Sequence, residues 1–329
     1  MRNLLVIHQG ALGDFVATFP AMIRLKNAFH SFGVICQRKL GKMARALGVA
    51  DDYFPAESAA FASLYSDHAD PHIRDFLILY HHIVLFSYSE QVEKAISELT
   101  GQKVHRIPPR ADSCQQIHVT QHILSQLAEC ELLRGTEPFS HTDKREPGYD
   151  PLRILIHPGS GSKRKNWPLS DFIRLGDRLH SDGMRPEFIL GPAEHSLRQT
   201  IQNASDKRLH SLSDLPEVLS LFRKSGAFIG NDSGLTHLAA FMGLPTLGIF
   251  GPSDPERWKP SGLTVKIVRP DGLDCSPCFE SAQTNCEHAE CLTRTSPETV
   301  LSAFYSMQGL PWQSENTGIA RTFAPLPQF

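Results

Sequence analysis

The sequence feature that most limits the fold is an alternation between short apolar runs and amphipathic stretches. Residues 3–8 (NLLVIH) form an apolar run that is typical of a strand buried on both faces of a parallel sheet. A turn with two glycines follows at residues 10–14, and apolar residues then recur at helical spacing from Phe15 to Phe29. The next predicted elements are strands at 32–36 and 82–88 and helices at 90–100 and 115–133. Parallel strands joined by helices define an α/β fold.

The alternation stops between residues 134 and 151 and then begins again. This segment is polar, contains several Pro and Gly residues and has no apolar period, so we interpret it as an interdomain linker. A chain of 329 residues also exceeds what one hydrophobic core usually holds. The predicted domains are therefore 1–140 and 141–307, followed by a tail at 308–329. The elements predicted in the second domain are strands at 153–157, 187–190, 227–230, 246–250 and 265–268 and helices at 169–180, 193–203, 215–223, 233–242 and 297–307.

Composition and charge exclude several classes of protein. Hydrophobic residues make up 41% and charged residues 21% of the chain, which is ordinary for a soluble globular protein. A formal net charge of -2 does not favour binding to nucleic acid. The N-terminal apolar run is too short for a signal peptide, and later runs such as FLILYHHIVLFSY are too short for a membrane-spanning helix. We expect a soluble cytoplasmic protein that can still visit a membrane surface.

The turn GALGD at residues 10–14 lies where the first predicted strand ends and a helix begins. Ligands of open α/β sheets bind beyond the carboxyl ends of the strands, and glycines let the backbone turn tightly and approach a ligand. Asp14 then has two interpretations. It is either the cap of the following helix or a carboxylate that faces a ligand.

Two later loops each join a strand to a helix, and each suits an anion. The segment HPGSGSKRKNWP (157–168) combines small residues, which expose backbone N–H groups, with three cations. Its alternative is a solvated basic loop. The segment FIGNDSGLTHLAA (228–240) places backbone N–H groups at a helix start, unless Asp232 or Ser233 merely caps that helix. Two such loops in one domain suggest a single ligand held between them.

Taken together, these segments resemble glycosyltransferase family 9, the ADP-heptose:lipopolysaccharide heptosyltransferases. The resemblance covers residues 1 to 307 and is carried by GALGDFVATFPA, HPGSGSKRKNWP and FIGNDSGLTHLAAFMGLPTLGIFGPSDPERWKP. It implies a GT-B fold, with two Rossmann-like domains that face each other across a cleft. The N-terminal domain would take the acceptor and the C-terminal domain the nucleotide sugar.

The resemblance also implies the reaction. An inverting transferase that needs no metal or other cofactor would move a sugar, heptose from ADP-heptose, onto a lipopolysaccharide core or related glycan. Its partners would be the nucleotide-sugar donor and a glycan or lipid-linked acceptor, with no nucleic acid. It would work in the cytoplasm, with peripheral contact at the inner face of the inner membrane where the acceptor is lipid-linked.

Site residues are implied position by position. Asp14 corresponds to the general base, which would deprotonate the acceptor hydroxyl. Lys165 corresponds to a lysine near the donor phosphates, whose charge would offset the departing diphosphate. Glu194 corresponds to an acidic residue that contacts the nucleoside. The other implied donor-binding residues are Ser160, Gly161, Asp232, Ser233, Gly234, Leu235 and His237.

Two other functions share this architecture. A sugar-nucleotide epimerase or hydrolase would show no dependence on an acceptor. A non-catalytic sugar-nucleotide-binding protein would be expected to lack Asp14 or Lys165, and both are present, which favours catalysis.

Four of the seven cysteines crowd into one segment, which we call the cysteine segment: Cys275, Cys278, Cys286 and Cys291. Four thiols that include a CxxC pair have the number that tetrahedral zinc requires, and His288 is a substitute for one of them. The alternative is cysteines that are packed in a loop or joined on oxidation. Zinc in this segment would be structural and would take no part in catalysis.

Overall fold

The computed structural model describes residues 2–65, 70–112, 115–133, 141–273, 275, 277–280, 286 and 289–310. The chain separates into two units, Met1–Ser140 and His141–Phe329, and each is built around one parallel sheet. Residues 134–140 of the predicted linker, residues 311–329 of the predicted tail and His288 lie outside the described residues. Within the part of the chain that is described, every helix is too short or too polar to cross a bilayer.

Strands and helices alternate through the first unit. Its strands are β1 (Asn3–His8), β2 (Ser31–Cys36), β3 (Asp52–Pro55), β4 (His82–Phe86) and β5 (Val104–Ile107). Its helices are α1 (Leu12–Ala17), α2 (Phe19–Ala28), α3 (Arg38–Ala46), α4 (Ala59–Ala62), α5 (Pro71–Leu77), α6 (Glu90–Thr100) and α7 (Val119–Glu129), with a 3-10 turn at Ser63–Tyr65.

The sheet of the first unit has the strand order β3-β2-β1-β4-β5, and all its pairs are parallel. Strands β1 and β4 lie at its centre, and Leu5, Ile7, Ile83 and Leu85 are buried at no more than 1% exposure. The order reverses between β1 and β4, because β1 leads to β2 on one side and the chain returns to β4 on the other. Such a reversal opens a crevice beyond the carboxyl ends of the two strands, where ligands of this fold bind.

The helical stretch after β1 differs from the sequence prediction, because it forms two helices rather than one. The break lies at Thr18, whose hydroxyl donates to the carbonyl oxygen of Phe15 at 2.6 Å. Pro20 follows in the first turn of α2, where its missing N–H does no harm, whereas a continuous helix would clash with its ring. Asp14 therefore lies on a separate helix, α1, of only 6 residues.

The second unit has six strands. They are β6 (Asp150–His157), β7 (Arg185–Leu190), β8 (Arg208–Ser211), β9 (Ser225–Asn231), β10 (Thr246–Ile249) and β11 (Val265–Val268). The helices are α8 (Leu169–Ser181), α9 (Arg198–Ala204), α10 (Leu215–Arg223), α11 (Gly234–Phe241), α12 (Pro255–Trp258), α13 (Glu290–Thr293) and α14 (Pro297–Met307), with 3-10 turns at Lys163–Lys165 and Pro192–Leu197.

The sheet of the second unit runs β11-β10-β9-β6-β7-β8, again entirely parallel, so its order reverses between β6 and β9. The two loops that the sequence analysis selected follow these two strands. They therefore flank the crevice of this sheet, as a ligand held between them requires.

Helix α8 shows how the core of the second unit is built. Its residues Phe172, Leu175 and Leu179 recur at helical spacing and are fully buried against the sheet. Burial of each such side chain stabilises the fold by about 1.5–3 kcal/mol. Helix α14 packs against α8, and the Tyr305 hydroxyl donates to Asp182 at 2.7 Å. The predicted N-cap of α14 is confirmed, since the Ser296 side chain accepts from the N–H of Thr299.

Gly226 in β9 allows a close backbone approach to the start of β6. A Cβ atom here would lie 2.5 Å from the carbonyl carbon of Pro151 and would overlap its oxygen. Because both partners are strand backbone, neither can move aside cheaply. We expect Gly226→Ala to lower the free energy of unfolding by about 1–3 kcal/mol, measured by denaturant titration. Gly161→Ala is the matched control, since a Cβ there meets nothing within 4 Å; equal stability of the two variants would contradict this interpretation.

Candidate active site

Asp14 lies in the first turn of α1, beyond the carboxyl end of β1. The N-cap of this helix is Ala11, which makes no side-chain capping hydrogen bond, so the interpretation of Asp14 as the cap is wrong. The carboxylate instead accepts from Nη2 of Arg110, at 3.0 Å to Oδ1 and 3.2 Å to Oδ2. Its side chain is 20% exposed. A partly exposed carboxylate at this edge of the sheet is available to a hydroxyl that approaches from solvent.

The neighbours of Asp14 are packed closely around Gly10. The Gly10 N–H donates to Nδ1 of His8 at 3.1 Å. A Cβ at Gly10 would lie 2.6 Å from Cε1 of His8 and 3.0 Å from Cβ of Asp14, so this position requires glycine. The His8 ring packs against Phe15 and Phe86, with centroid distances of 5.0 and 5.6 Å.

His8 is held neutral by its surroundings. Burial lowers its pKa to about 4, although the charge of Asp14 acts in the opposite direction. The imidazole is therefore uncharged at neutral pH, and because its Nδ1 accepts a hydrogen bond its single proton is on Nε2. It accepts the Gly10 N–H and so fixes the turn that precedes Asp14.

This neutral histidine makes stability depend on pH. In the unfolded chain His8 takes up a proton below about pH 6.5, but in the folded chain only below about 4. The stabilisation that neutral His8 contributes is therefore complete above the pKa of the unfolded chain, and it is lost as the pH falls from there through the pKa of the folded chain. Between about pH 7.5 and 4.5, we expect the free energy of unfolding to fall by about 2–3 kcal/mol more in the native protein than in His8→Asn. Denaturant titrations at the two pH values measure this difference. The exposed His72→Asn should follow the native protein, and an identical loss in His8→Asn would refute the assignment.

In the second unit, the side chain of Asn231 joins the two loops at the crevice. It is fully buried, and its Oδ1 accepts from the N–H of Trp167 at 2.9 Å. Its Nδ2 donates to the carbonyl oxygens of Pro158 at 2.8 Å and Gly159 at 3.3 Å. The Trp167 indole is buried too and donates to the carbonyl of Thr295 at 2.9 Å. The loop of residues 157–168 is thus held at both ends.

Lys165 and Asp232 meet at this junction. The Lys165 ammonium lies 2.7 Å from Oδ2 of Asp232, whose side chain is 6% exposed, and Nε2 of His237 lies 3.8 Å from Oδ1. Burial alone would raise the pKa of Asp232, but His237 and the charge of Lys165 hold it well below its usual range. The site therefore contains a buried carboxylate paired with a lysine that is 18% exposed. This lysine is accessible to an anionic ligand.

The other predicted donor residues lie at the same crevice, although the structure gives some of them local roles. Ser233 is the N-cap of α11 and accepts from the N–H of Thr236 at 3.4 Å. Gly234 and Leu235 form the first turn of α11, where backbone N–H groups have no partner within the helix. The Ser160 hydroxyl donates to the carbonyl of Ser162 at 2.7 Å and lies 2.6 Å from Oδ1 of Asn166, and so orders its loop. Gly161 is exposed.

Glu194 is buried in the 3-10 turn after β7, at 8% exposure. Its Oε2 accepts from the Gly191 N–H at 2.9 Å and lies 3.7 Å from Nε2 of His157. Burial would raise its pKa, but His157 and the Gly191 N–H lower it, so the carboxylate is ionised. A Cβ at Gly159 would overlap this side chain. Glu194 therefore lies directly against the loop that follows β6.

About half of the chain is similar in sequence to known proteins. Residues 126–288 match glycosyltransferase family 9 (heptosyltransferase). Over 180 residues the chain is 27% identical to lipopolysaccharide heptosyltransferase 1 of Pseudomonas aeruginosa, with 49% of each chain covered, so it spans about half the length of this curated relative. Residues 126–288 therefore form a glycosyltransferase family 9 domain.

Two solved structures of this kind share the fold. The glycosyl transferase family 9 protein of Veillonella parvula gives a TM-score of 0.71 at 16% identity, over 93% of this chain and 97% of that one. ADP-heptose lipopolysaccharide heptosyltransferase II of E. coli gives 0.67 at 17% identity, over 93% and 98%. The predicted GT-B fold class with two Rossmann-like domains is thereby confirmed.

The cysteine segment, for which structural zinc is one of two interpretations of the sequence, is described only in part, since residues 274, 276, 281–285, 287 and 288 lie outside the described residues. Among the described residues, no group of three or more His, Cys, Asp or Glu side chains is placed to hold a metal ion. Cys291 is buried in α13, whereas Cys275 and Cys286 are exposed, and the described cysteines are free thiols. Burial and the other thiols of the segment raise the pKa of Cys291 to about 11.

Three polar residues of this candidate site were not predicted from the sequence. Arg110 follows β5, a strand that the sequence analysis did not predict. Asn231 and His157 both lie within the selected motifs but received no role. The available signal was their position, because a polar side chain that ends a buried strand must find partners at the carboxyl edge of the sheet.

Proposed function

We propose that the chain is an inverting, metal-independent glycosyltransferase that moves heptose from ADP-heptose to a lipopolysaccharide core or related glycan. The observation that carries this proposal is the Lys165–Asp232 pair at the crevice of the second sheet, 2.7 Å apart beside the start of α11. A lysine and a helix N-terminus at one strand edge form a site for a diphosphate. The family 9 domain at residues 126–288 supports the choice of transfer as the reaction.

The donor diphosphate would bind where Lys165 now contacts Asp232. Phosphate oxygens would accept from the Lys165 ammonium and from the backbone N–H groups of Gly234 and Leu235 in the first turn of α11. Glu194, ionised at the same edge, would accept from hydroxyl groups of the nucleoside. Donor specificity for ADP-heptose is supported by the name of the E. coli structural relative.

Asp14 would act as the general base. Its carboxylate would take the proton of the acceptor hydroxyl while that oxygen attacks the anomeric carbon of the donor. The bond from this carbon to the diphosphate breaks, and the electron pair leaves on the diphosphate, where Lys165 and the start of α11 offset the charge. A single displacement of this kind inverts the anomeric centre. No step in it needs a metal ion.

The acceptor assignment rests on the name of the Pseudomonas aeruginosa relative, which is a lipopolysaccharide heptosyltransferase. A cytoplasmic location, with peripheral contact at the inner face of the inner membrane, would bring the chain to a lipid-linked acceptor. Both points belong to the proposal.

The test is a transfer assay with purified protein, ADP-heptose and heptose-free lipopolysaccharide, with and without a metal chelator. We expect ADP release that depends on the acceptor, a mass gain of one heptose on the acceptor and no effect of the chelator. NMR of the product should show the anomeric configuration inverted. ADP release without an acceptor would indicate a hydrolase instead, and transfer from other nucleotide sugars only would overturn the choice of donor.

A further inference from the structure

Phe279, from the cysteine segment, lies against the lysine of the donor site. The Lys165 ammonium is 4.0 Å from the centroid of the Phe279 ring, and Cζ of Arg164 is 5.5 Å from the same centroid. Lys165 is therefore held between a carboxylate, that of Asp232, and an aromatic face. A cation at this distance is attracted by the negative charge density of the ring face.

The backbone on which the ring is mounted is anchored. The N–H groups of Cys278 and Phe279 both donate to the carbonyl oxygen of Pro252, at 2.8 and 2.9 Å. The next residue, Glu280, accepts from Nε1 of Trp258 at 3.2 Å and pairs with Nε of Arg257 at 3.0 Å. Both of these partners belong to α12. The ring is thus fixed by contacts on either side of it.

The two partners of Lys165 respond differently to a bound diphosphate. Asp232 is an acceptor and competes with phosphate oxygens for the ammonium N–H groups. The ring of Phe279 offers no lone pair, so its attraction persists when the ammonium turns to the phosphate. Because the lysine stem has many rotamers, a partner that stays in place limits where the ammonium can go.

We propose that Phe279 is a positioning residue that keeps the Lys165 ammonium at the donor diphosphate, and that the anchored residues 278–280 support this ring. This inference rests on the proposed function, since it deepens the role of Lys165.

The first test compares Phe279→Leu, which removes the ring face, with Phe279→Tyr, which keeps it. By calorimetry, we expect Phe279→Leu to weaken the binding of ADP about twofold to thirtyfold and leave adenosine binding unchanged. Phe279→Tyr should bind both ligands as the native protein does. Tyr149→Leu is the matched control, because it removes another ring, 4.0 Å from Cζ of Arg145, in the same unit. Equal weakening for adenosine would mean that the ring contacts the base, and would overturn the proposal.

A double-mutant cycle shows whether the effect passes through Lys165. In a Lys165→Met background, the further change Phe279→Leu should cause no additional loss of ADP binding. An additional loss as large as that in the native background would mean that Phe279 acts independently of the lysine, and the proposal would fall.

A second measurement needs no donor, and so separates this proposal from the proposed function. Trace acetylation read by mass spectrometry gives the reactivity of each lysine. We expect Lys165 to react several-fold faster in Phe279→Leu than in the native protein, Phe279→Tyr or Tyr149→Leu. If the native protein binds no ADP, the proposed function fails, but faster labelling of Lys165 still supports its positioning by Phe279. Unchanged labelling would overturn it.

Discussion

Replacement of Asp14 by asparagine is expected to lower kcat about a hundredfold to ten-thousandfold, with donor affinity unchanged. Asparagine has the same shape and still accepts a hydrogen bond from Arg110, but it cannot take a proton from the acceptor hydroxyl. Because the Asp14–Arg110 pair is partly exposed, its loss should cost at most about 1 kcal/mol of stability. The value of kcat is measured at a saturating concentration of the donor, and the affinity for the donor is measured separately by calorimetry.

Glu93→Gln is the matched control for this variant. Glu93 is also a carboxylate paired with an arginine of the first unit, since it accepts from Nε of Arg106 at 2.6 Å. It lies in the first turn of α6 and pairs with Arg106 rather than with Arg110, so its neutralisation should leave kcat unchanged. An Asp14→Asn protein that retains most of its kcat would remove Asp14 from the mechanism.

Lys165→Ala is expected to weaken ADP binding about tenfold to hundredfold while adenosine binding stays close to native. The variant loses a charge-assisted contact to the phosphates. It also leaves the Asp232 carboxylate, 6% exposed, without its lysine, so that negative charge then repels the diphosphate. Calorimetry with the two ligands separates the phosphate contribution from that of the nucleoside.

Two further variants sharpen the result. Lys163→Ala removes an exposed lysine from the same 3-10 turn and should change neither affinity. Adding Asp232→Asn to Lys165→Ala should restore part of the ADP affinity, because it removes the unpaired carboxylate. Equal losses for ADP and adenosine in Lys165→Ala would show that the lysine does not contact the phosphates.

Elements with a strong local signal were predictable from the sequence. The bounds of β1, α6, α10, β11 and α14 agree with the structure, because each has either an unbroken apolar run or an amphipathic period between clear stop signals. The strands β3, β5 and β8 were not predicted. All three lie at sheet edges. No side chain of β8 (RLHS) is fully buried, so its sequence has no apolar run that would mark it as a strand. The segment predicted as one helix at 193–203 begins as a 3-10 turn after Pro192.

The residues of the candidate site also fall into two groups, those with a local signal in the sequence and those without one. Motifs that surround a strand end are local, so the sequence placed Asp14, Lys165 and Asp232 at the carboxyl edges of sheets. Their partners are not local. Arg110 is 96 residues from Asp14, and Lys165 is 67 residues from Asp232. Only the strand order brings such residues together, and a residue pair at that separation leaves no periodic trace in a single sequence.

The buried amide of Asn231 limits how the donor loops of this protein can be changed. It ties residues 158, 159 and 167 to the end of β9, so the two strand-end loops form one structural unit although they are far apart in the chain. A chimaera that received only one of these loops from another protein would leave buried hydrogen-bond donors or acceptors without partners. Each such group lowers the stability by about 1–3 kcal/mol. Donor preference should therefore be inherited, or transplanted, as a matched pair of loops.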